Sequence, residues 1–340
     1  MKKRTEHDLV RQVLRLGEEP CLYFKESEIH DILFSEGVRF MDELKRFYGL
    51  WHKKPEMVEM PPKKIFVTRG VAGDVRVMPC VVKGPGKRLI KAVKVIGTDI
   101  EQTIVKDKIS VGKALLIHPK DNFVEAIFDV GALTSFRTAA ATVLAHHYLA
   151  GPGGGKAGII GAGRIGFYTL QLLHQWSGVR EVLVEDPNSE HLARYLRAAR
   201  CVFPKLKIRE GLLSDLCTEC GSIFLATTTR KPILSETNAS QVGFISSIGA
   251  DSNSQSELDP SILKDRRIFT DSKTSIHFAD LKRWQDKGLV REGDLTELLE
   301  IAGQKREKHH KTLFISTGIA LHDALVCQFL FENLKKQRSL

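Results

Sequence analysis

Three glycines in the order Gly161-Ala162-Gly163-Arg164-Ile165-Gly166 form the stretch whose spacing most directly implies chemistry. In that spacing the first glycine permits a tight turn and the second lets the backbone approach a pyrophosphate. The third lets a helix pack closely on a strand. The first N–H groups of that helix then face the anion. The neighbours agree: the apolar run Ala157-Gly158-Ile159-Ile160 comes before, and the helix-like Phe167-Tyr168-Thr169-Leu170-Gln171-Leu172-Leu173 after. A further strand-like run, Glu181-Val182-Leu183-Val184, ends in Glu185-Asp186. This places an acid about 20 residues on, where a ribose-binding carboxylate belongs. Asp186 is therefore expected on the adenosine ribose of a dinucleotide. Glu185 would repel a 2′-phosphate, and Pro187-Asn188-Ser189 holds no compensating cation, so NAD is favoured over NADP.

The elements that must carry this motif follow from periodicity. Residues 1–50 read as amphipathic helix, with Val10, Val13, Leu14 and Leu16, then Ile29, Ile32 and Leu33, then Met41, Leu44 and Phe47 on apolar faces. Pro61-Pro62 closes that region. Residues 63–130 read as short strands in a largely antiparallel sheet. Gly84-Pro85-Gly86-Lys87 is a turn, and Pro119-Lys120-Asp121-Asn122 is a hairpin between Ala114-Leu115-Leu116-Ile117 and Val124-Glu125-Ala126-Ile127-Phe128. An alanine-rich helix over 137–149 and a glycine linker over 151–155 lead into the motif. From 157 to about 272 strands alternate with helices, the pattern of a doubly wound parallel sheet. Residues 304–311 read as a basic loop and 317–336 as a final helix.

Three further segments, together with the glycine motif, resemble the ornithine cyclodeaminase/mu-crystallin family. They are Ala92-Val93-Lys94-Val95-Ile96-Gly97, Leu133-Thr134-Ser135-Phe136-Arg137-Thr138-Ala139-Ala140-Ala141, and Ile248-Gly249-Ala250-Asp251 with Glu257-Leu258-Asp259. Val77-Met78-Pro79 and Ser316-Thr317-Gly318-Ile319-Ala320 with Asp323 also fit, and the similarity runs from about residue 20 to 335. The resemblance implies an α/β protein in which a Rossmann-type doubly wound dinucleotide domain over 131–311 accompanies an α+β substrate-binding and dimerisation domain. The latter takes residues 1–130 and is completed by a C-terminal helix in 312–340. It also implies a homodimer and an active site between the two domains.

By the same resemblance the substrate is a small amino acid or its imine, and hydride moves between its α-carbon and the nicotinamide. Arg137 would clamp the substrate carboxylate, because guanidinium and carboxylate match bidentately. Lys94 would sit beside it, and a desolvated lysine near another cation has the lowered pKa that suits proton transfer. Asp251 would handle the substrate nitrogen. Thr138, Thr227 and Gly249 join Gly161, Gly163, Arg164, Ile165, Gly166 and Asp186 on the cofactor. Two departures stand out. Family cyclodeaminases carry Glu two residues before Met-Pro, where this chain has Arg76: either an outward strand residue or a binder of a second acidic group on the substrate. The arginine that usually follows the proline-rich entry is matched by Lys64, a further candidate for carboxylate binding.

These features point to an NAD-dependent amino-acid dehydrogenase or imine reductase. One version acts on N-(2-amino-2-carboxyethyl)-glutamate in siderophore precursor synthesis. Ornithine cyclodeamination to proline and ammonia is the alternative, and a mu-crystallin-like small-ligand-binding protein without catalysis is a third. Composition is that of an ordinary globular protein, with 340 residues, room for two cores and no apolar run long enough to span a membrane. The charged start, Met1-Lys2-Lys3-Arg4, is not followed by the apolar core of a secretory signal. Six cysteines suggest a reducing, cytoplasmic setting rather than a disulfide scaffold. The net charge of +10 lies in scattered clusters with few aromatics between them, which favours attraction of anionic cofactors and substrates over a nucleic-acid surface. Cys217-Thr218-Glu219-Cys220 stands without a second pair, so no metal is expected.

Overall fold

The computed structural model describes residues 6–15, 17, 19–84, 88–99, 102–106, 108–151, 155–304 and 311–338. Its first sheet contains β1 (Leu22–Phe24), β2 (Val58–Glu59), β3 (Lys64–Phe66), β4 (Asp74–Lys83), β5 (Leu89–Thr98), β6 (Ser110–Ile117) and β7 (Val124–Asp129). The order is β1-β7-β6-β5-β4-β2, with β3 also on β4; β1 is parallel to β7 and the other pairs are antiparallel. In β4 and β5 burial alternates residue by residue, so one face meets helices and the other stays open. The expected hairpin joins β6 to β7, with Asn122 at φ 61°. Of the expected turn at 84–87, Gly84 donates its N–H to the Arg88 carbonyl at 2.7 Å, and the remaining three residues lie outside the described ones.

The second sheet is wholly parallel. It contains β8 (Lys156–Ile160), β9 (Glu181–Glu185), β10 (Lys207–Glu210), β11 (Ser222–Leu225), β12 (Phe244–Ser247), β13 (Arg266–Thr270), β14 (Leu295–Glu297) and β15 (Lys311–Ile315), in the order β10-β9-β8-β11-β12-β15-β13-β14. The first five strands run outward on either side of β8. Strand order therefore reverses between β8 and β11, and the crevice above their C-terminal ends is where such folds bind ligands.

Helices α1 (Glu6–Val13), α2 (Glu26–Ser35) and α3 (Gly37–Lys53) precede the first sheet's main body. Between the sheets lies α4 (Val130–Leu149), buried almost all round; it packs on α2, on β6 and on the second sheet. The second unit adds α5 (Arg164–Gln175), α6 (Ser189–Val202), α7 (Leu213–Glu219), α8 (Glu236–Ala239), α9 (Ala279–Asp286) and α10 (Leu298–Ile301). Last comes α11 (Ala320–Arg338), which returns to pack on β4, β5 and β6.

Four boundaries differ from expectation. α4 starts at Val130, not 137, because a helix buried all round has no amphipathic stripe to mark its start. α3 stops at Lys53, where Pro55 opens a 3₁₀ turn ahead of Pro61-Pro62. Within 1–50, the three-residue strand β1 is too short to display a period of two. Residues 312–315 belong to β15, inside the second sheet, and not to the final helix. That run is buried on both faces, and periodicity cannot separate such a strand from a buried helix. The linker residues 152–154, the loop residues 305–310 and the cluster Lys2-Lys3-Arg4 lie outside the described residues.

Candidate active site

β5 turns Ile90, Ala92, Lys94 and Ile96 toward the helices, so strand geometry alone carries Lys94 inward. It is 1 % exposed, and its Nζ donates to Asp323 of α11 at 2.8 Å. Arg137 arrives from the middle of α4, with Nε 3.3 Å from the same carboxylate. One buried carboxylate thus holds two cations. Burial, then Arg137, depress the Lys94 pKa to about 8, against the pull of Asp323. Gly318, at φ +80°, lies between β15 and α11; a Cβ there would overlap the Arg137 guanidinium. Its N–H is held by the buried Asp271 at 2.9 Å.

A second cluster lies beside the first. Arg76 is on the same inward face of β4, opposite Ile96, while Lys94 is opposite Met78, so the two cations are diagonal neighbours across the β4–β5 ladder. Arg76 is not an outward strand residue. Its Nε and Nη2 donate to Asp74 at 2.7 and 2.8 Å, and its Nη1 donates to Asp251 at 2.5 Å. Burial alone would raise the Asp251 carboxyl; Arg76, with Lys63 and Arg137 in support, holds it below the ordinary value.

Lys64 is not part of this group. It pairs with Val77 across β3–β4 and is exposed on the outer face. Its neighbour Lys63 points the opposite way, because a one-residue step along a strand reverses the side chain. Lys63 Nζ donates to the carbonyl and hydroxyl of Thr317 at 3.0 and 3.2 Å and lies over the Phe278 ring. Burial lowers its pKa to about 8.

Across a cleft of about 230 Å³ stands the glycine motif. Gly161 follows β8 at φ +108°, and a Cβ would come within 2.6 Å of the Ala226 carbonyl oxygen. At Gly166 a Cβ would run into the Gly161 carbonyl, so helix and turn meet only through glycine. Around Gly163, apart from its chain neighbours, no atom of the described residues lies within 4 Å of the Cβ position, and Gly163 caps α5 without a side-chain bond. These features fit a dinucleotide pyrophosphate at the start of α5. Asp186 accepts from the backbone N–H of Ala162 at 2.8 Å and of Asn188 at 2.9 Å, bracing the turn and leaving lone pairs for a ribose. Arg164 and Ile165 line the cleft. Arg164 also pairs with Glu26 at the start of α2, as does Lys108.

Two cofactor candidates are engaged elsewhere. The Thr138 hydroxyl donates to the Thr134 carbonyl at 2.8 Å, whereas Thr134 Oγ1, one helical turn away, is buried with no hydrogen-bond partner among the described residues. The Thr227 hydroxyl and N–H both donate to Glu257 at 2.8 Å, so Ala226 and Thr228 face the cleft in its place. Glu257, fully buried, also receives Ser247 Oγ and the Gly249 N–H. It thereby ties the ends of β11 and β12 together and sets the course of the loop to Asp251. A Cβ on Gly249 would strike Thr227.

Lys63, Asp74 and Asp271 belong to this arrangement but were passed over in the sequence, and Asp323 and Glu257 entered it only as parts of motifs. Cys217 and Cys220 are buried thiols with raised pKa values. His146 packs between Phe224 and Phe244. Among the described residues there is no cluster able to hold a metal, and no helix is long and apolar enough to cross a membrane.

A family model described as ornithine cyclodeaminase/mu-crystallin matches residues 30–338. The chain is 25 % identical over 319 residues to an alanine dehydrogenase of Archaeoglobus fulgidus, covering 92 % of this chain and 94 % of that one. It is 30 % identical over 224 residues to an iminosuccinate reductase of Paracoccus denitrificans, covering 65 % and 69 %. Among solved structures, the Δ1-pyrroline-2-carboxylate reductase of Thermococcus litoralis in complex with NADH and L-proline superposes with a TM-score of 0.82 at 23 % identity, covering 93 % of this chain and 98 % of that one.

Proposed function

The chain belongs to the ornithine cyclodeaminase/mu-crystallin family, and on that premise we propose that it is an NAD-dependent oxidoreductase acting at the α-carbon of a small amino acid or its imine. The observation that carries this is the buried Lys94–Asp323–Arg137 cluster, whose Arg137 lines the same cleft as Arg164 and Ile165 of the glycine motif. The names of the similar alanine dehydrogenase and iminosuccinate reductase support it.

Arg137 and Lys94 take the substrate carboxylate, with Lys63 as a third cation and in the place expected of Lys64. Asp251 meets the substrate nitrogen. As a carboxylate it accepts a proton from the ammonium and passes it to solvent, which frees the nitrogen lone pair; ionised again beside Arg76, it pairs with the cationic iminium. Gly161, Gly163, Arg164, Ile165, Gly166 and Gly249 shape the cofactor side, Asp186 takes the ribose, and α4 offers the Thr134 hydroxyl in place of Thr138. When bound, the nicotinamide supplies or removes the hydride at the α-carbon. The same reading includes a homodimer through the open face of the first sheet, supported by Phe66, Val75 and Val95, which are 60 %, 45 % and 38 % exposed. Six free cysteines among the described residues suit a reducing cytoplasm.

The test is to incubate the purified protein with NAD and amino acids, N-carboxyalkyl ones included, and with NADH and imines, reading NADH and ammonia together. A stoichiometric change in NADH supports the proposal. Ammonia and proline from ornithine with no net change in NADH would replace it with cyclodeamination. Ligand binding without any turnover would favour a binding protein.

A further inference from the structure

We propose that Arg76 is a positioning residue: braced by Asp74, its guanidinium sets the orientation of the Asp251 carboxylate at the cleft, and it does not receive a second carboxylate from the substrate. The inference deepens the reading of Asp251 as partner of the substrate nitrogen and rests on it. Three observations carry it. The first is donor use. A guanidinium has five N–H groups, and four of those on Arg76 are directed to protein carboxylates: Nε and Nη2 to Asp74, Nη1 and, at 3.4 Å, Nη2 to Asp251. Little is left for an incoming anion.

The second is depth. The Arg76 side chain is 5 % exposed, whereas that of Asp251 is 34 % exposed. A ligand in the cleft reaches the carboxylate first, with the guanidinium behind it. The third is charge. Asp74, Arg76 and Asp251 together carry one net negative charge. Toward α4 and α11, Lys94 and Arg137 outnumber Asp323, while Lys63 acts on Asp251 as well. The cleft is therefore polarised: one wall suits a cationic nitrogen, the other a carboxylate. A second substrate carboxylate beside Asp251 would face repulsion.

The charged groups acting on Asp251 are Arg76 from β4, Lys63 from the segment before β3 and Arg137 from α4. From its own loop, the Gln255 side-chain oxygen accepts the Asp251 N–H at 3.1 Å and fixes the backbone. Arg76 is the cation in direct contact, and Asp74 is what holds that cation in place.

The experiment compares wild type with Asp74→Asn and Arg76→Gln. In substrate-free protein labelled with ¹³C at the aspartate carboxyl, the Asp251 signal, identified by its loss in Asp251→Asn, is titrated by NMR. Titration at higher pH in both variants, by about one unit or more, is the shift expected when an adjoining cation is removed or loosened. In parallel, the acid limb of kcat/KM moves up in both variants, while KM for a dicarboxylic substrate rises no more than for a monocarboxylic one. Unchanged Asp251 titration in both variants overturns the proposal, as does a selective rise of about tenfold or more in the dicarboxylic KM of Arg76→Gln. If Arg76→Gln does not fold, Asp74→Asn decides the outcome alone. Because the titration needs no substrate, failure to find turnover counts against the function proposed above and leaves this result readable.

Discussion

Lys94 and Arg137 share Asp323 as their direct counter-ion, so the inner end of the cleft suits an incoming anion. Replacing Arg137 by alanine removes half of that receptor and leaves Asp323 with Lys94 alone. The expected loss in kcat/KM is about 2–4 kcal/mol, seen as a raised KM and a lower turnover; a loss under about 0.5 kcal/mol would mean that Arg137 does not clamp the substrate. Steady-state kinetics on whichever substrate the screen identifies measures it. Lys63→Ala should raise KM severalfold, whereas Lys64→Ala, on the outer face, should leave it unchanged; equal effects would contradict the assignment. Lys94, Arg137 and Asp251 could be named as candidates because charged residues inside motifs are visible as types. The choice between Lys63 and Lys64 was not, because it depends on strand register, and adjacent residues of the same type offer no hydropathy contrast to reveal it. Arg76 illustrates the same limit: its chemistry could be named, but its partners come from residues 2 and 175 positions away.

At the scale of elements, the site depends on places where chain segments meet without a Cβ. Gly318 is the sharpest case, because it combines a left-handed φ with the Arg137 guanidinium against its α-carbon. Gly318→Ala should cost about 1–2 kcal/mol from the backbone alone, lower Tm, and raise KM in the manner of Arg137→Ala. A variant with wild-type Tm and KM would remove Gly318 from the support of the site. The β8–turn–α5 unit was readable because its glycines, apolar strand and terminal acid are contiguous. The β6–β7 hairpin was readable for the same reason. β1 and β15 were not: each is short, and each is placed in its sheet by a partner far away in sequence, β7 for one and β12 with β13 for the other. The bridge from Glu26 to Arg164 and Lys108 was equally hidden, since it links the start of α2 to the glycine helix across the cleft.

For the whole molecule, burying ammonium groups makes stability depend on alkaline pH. Lys63 and Lys94 each titrate near 8 when folded, against 10.5 as the ordinary value. Between those values the unfolded chain binds more protons than the folded one, so their contribution to stability rises as pH climbs from about 8 to 10.5 and is flat below 8. Lys94→Met should flatten part of that rise in denaturant titrations across the window; an unchanged slope would mean the lysine is not desolvated. The open face of the first sheet supplies the other global prediction. Val95→Glu puts a charge opposite Val77 at its centre and should turn a dimer into a monomer by light scattering, whereas a dimer that persists would place the interface elsewhere.

The position of β15 has a consequence for biosynthesis. The strand that fills the gap between β12 and β13 leaves the ribosome some forty residues after β13, and α11, which closes over the first sheet, follows at once. Neither half of the molecule completes its architecture until β15 and α11 have emerged. Until β15 and α11 emerge, β12 and β13 present unpaired edges and the cradle of Lys94 lacks Asp323. The nascent chain therefore passes through an open-sheet state prone to pairing with other chains, and loss of β15 and α11 would be felt first as insolubility rather than as slow turnover.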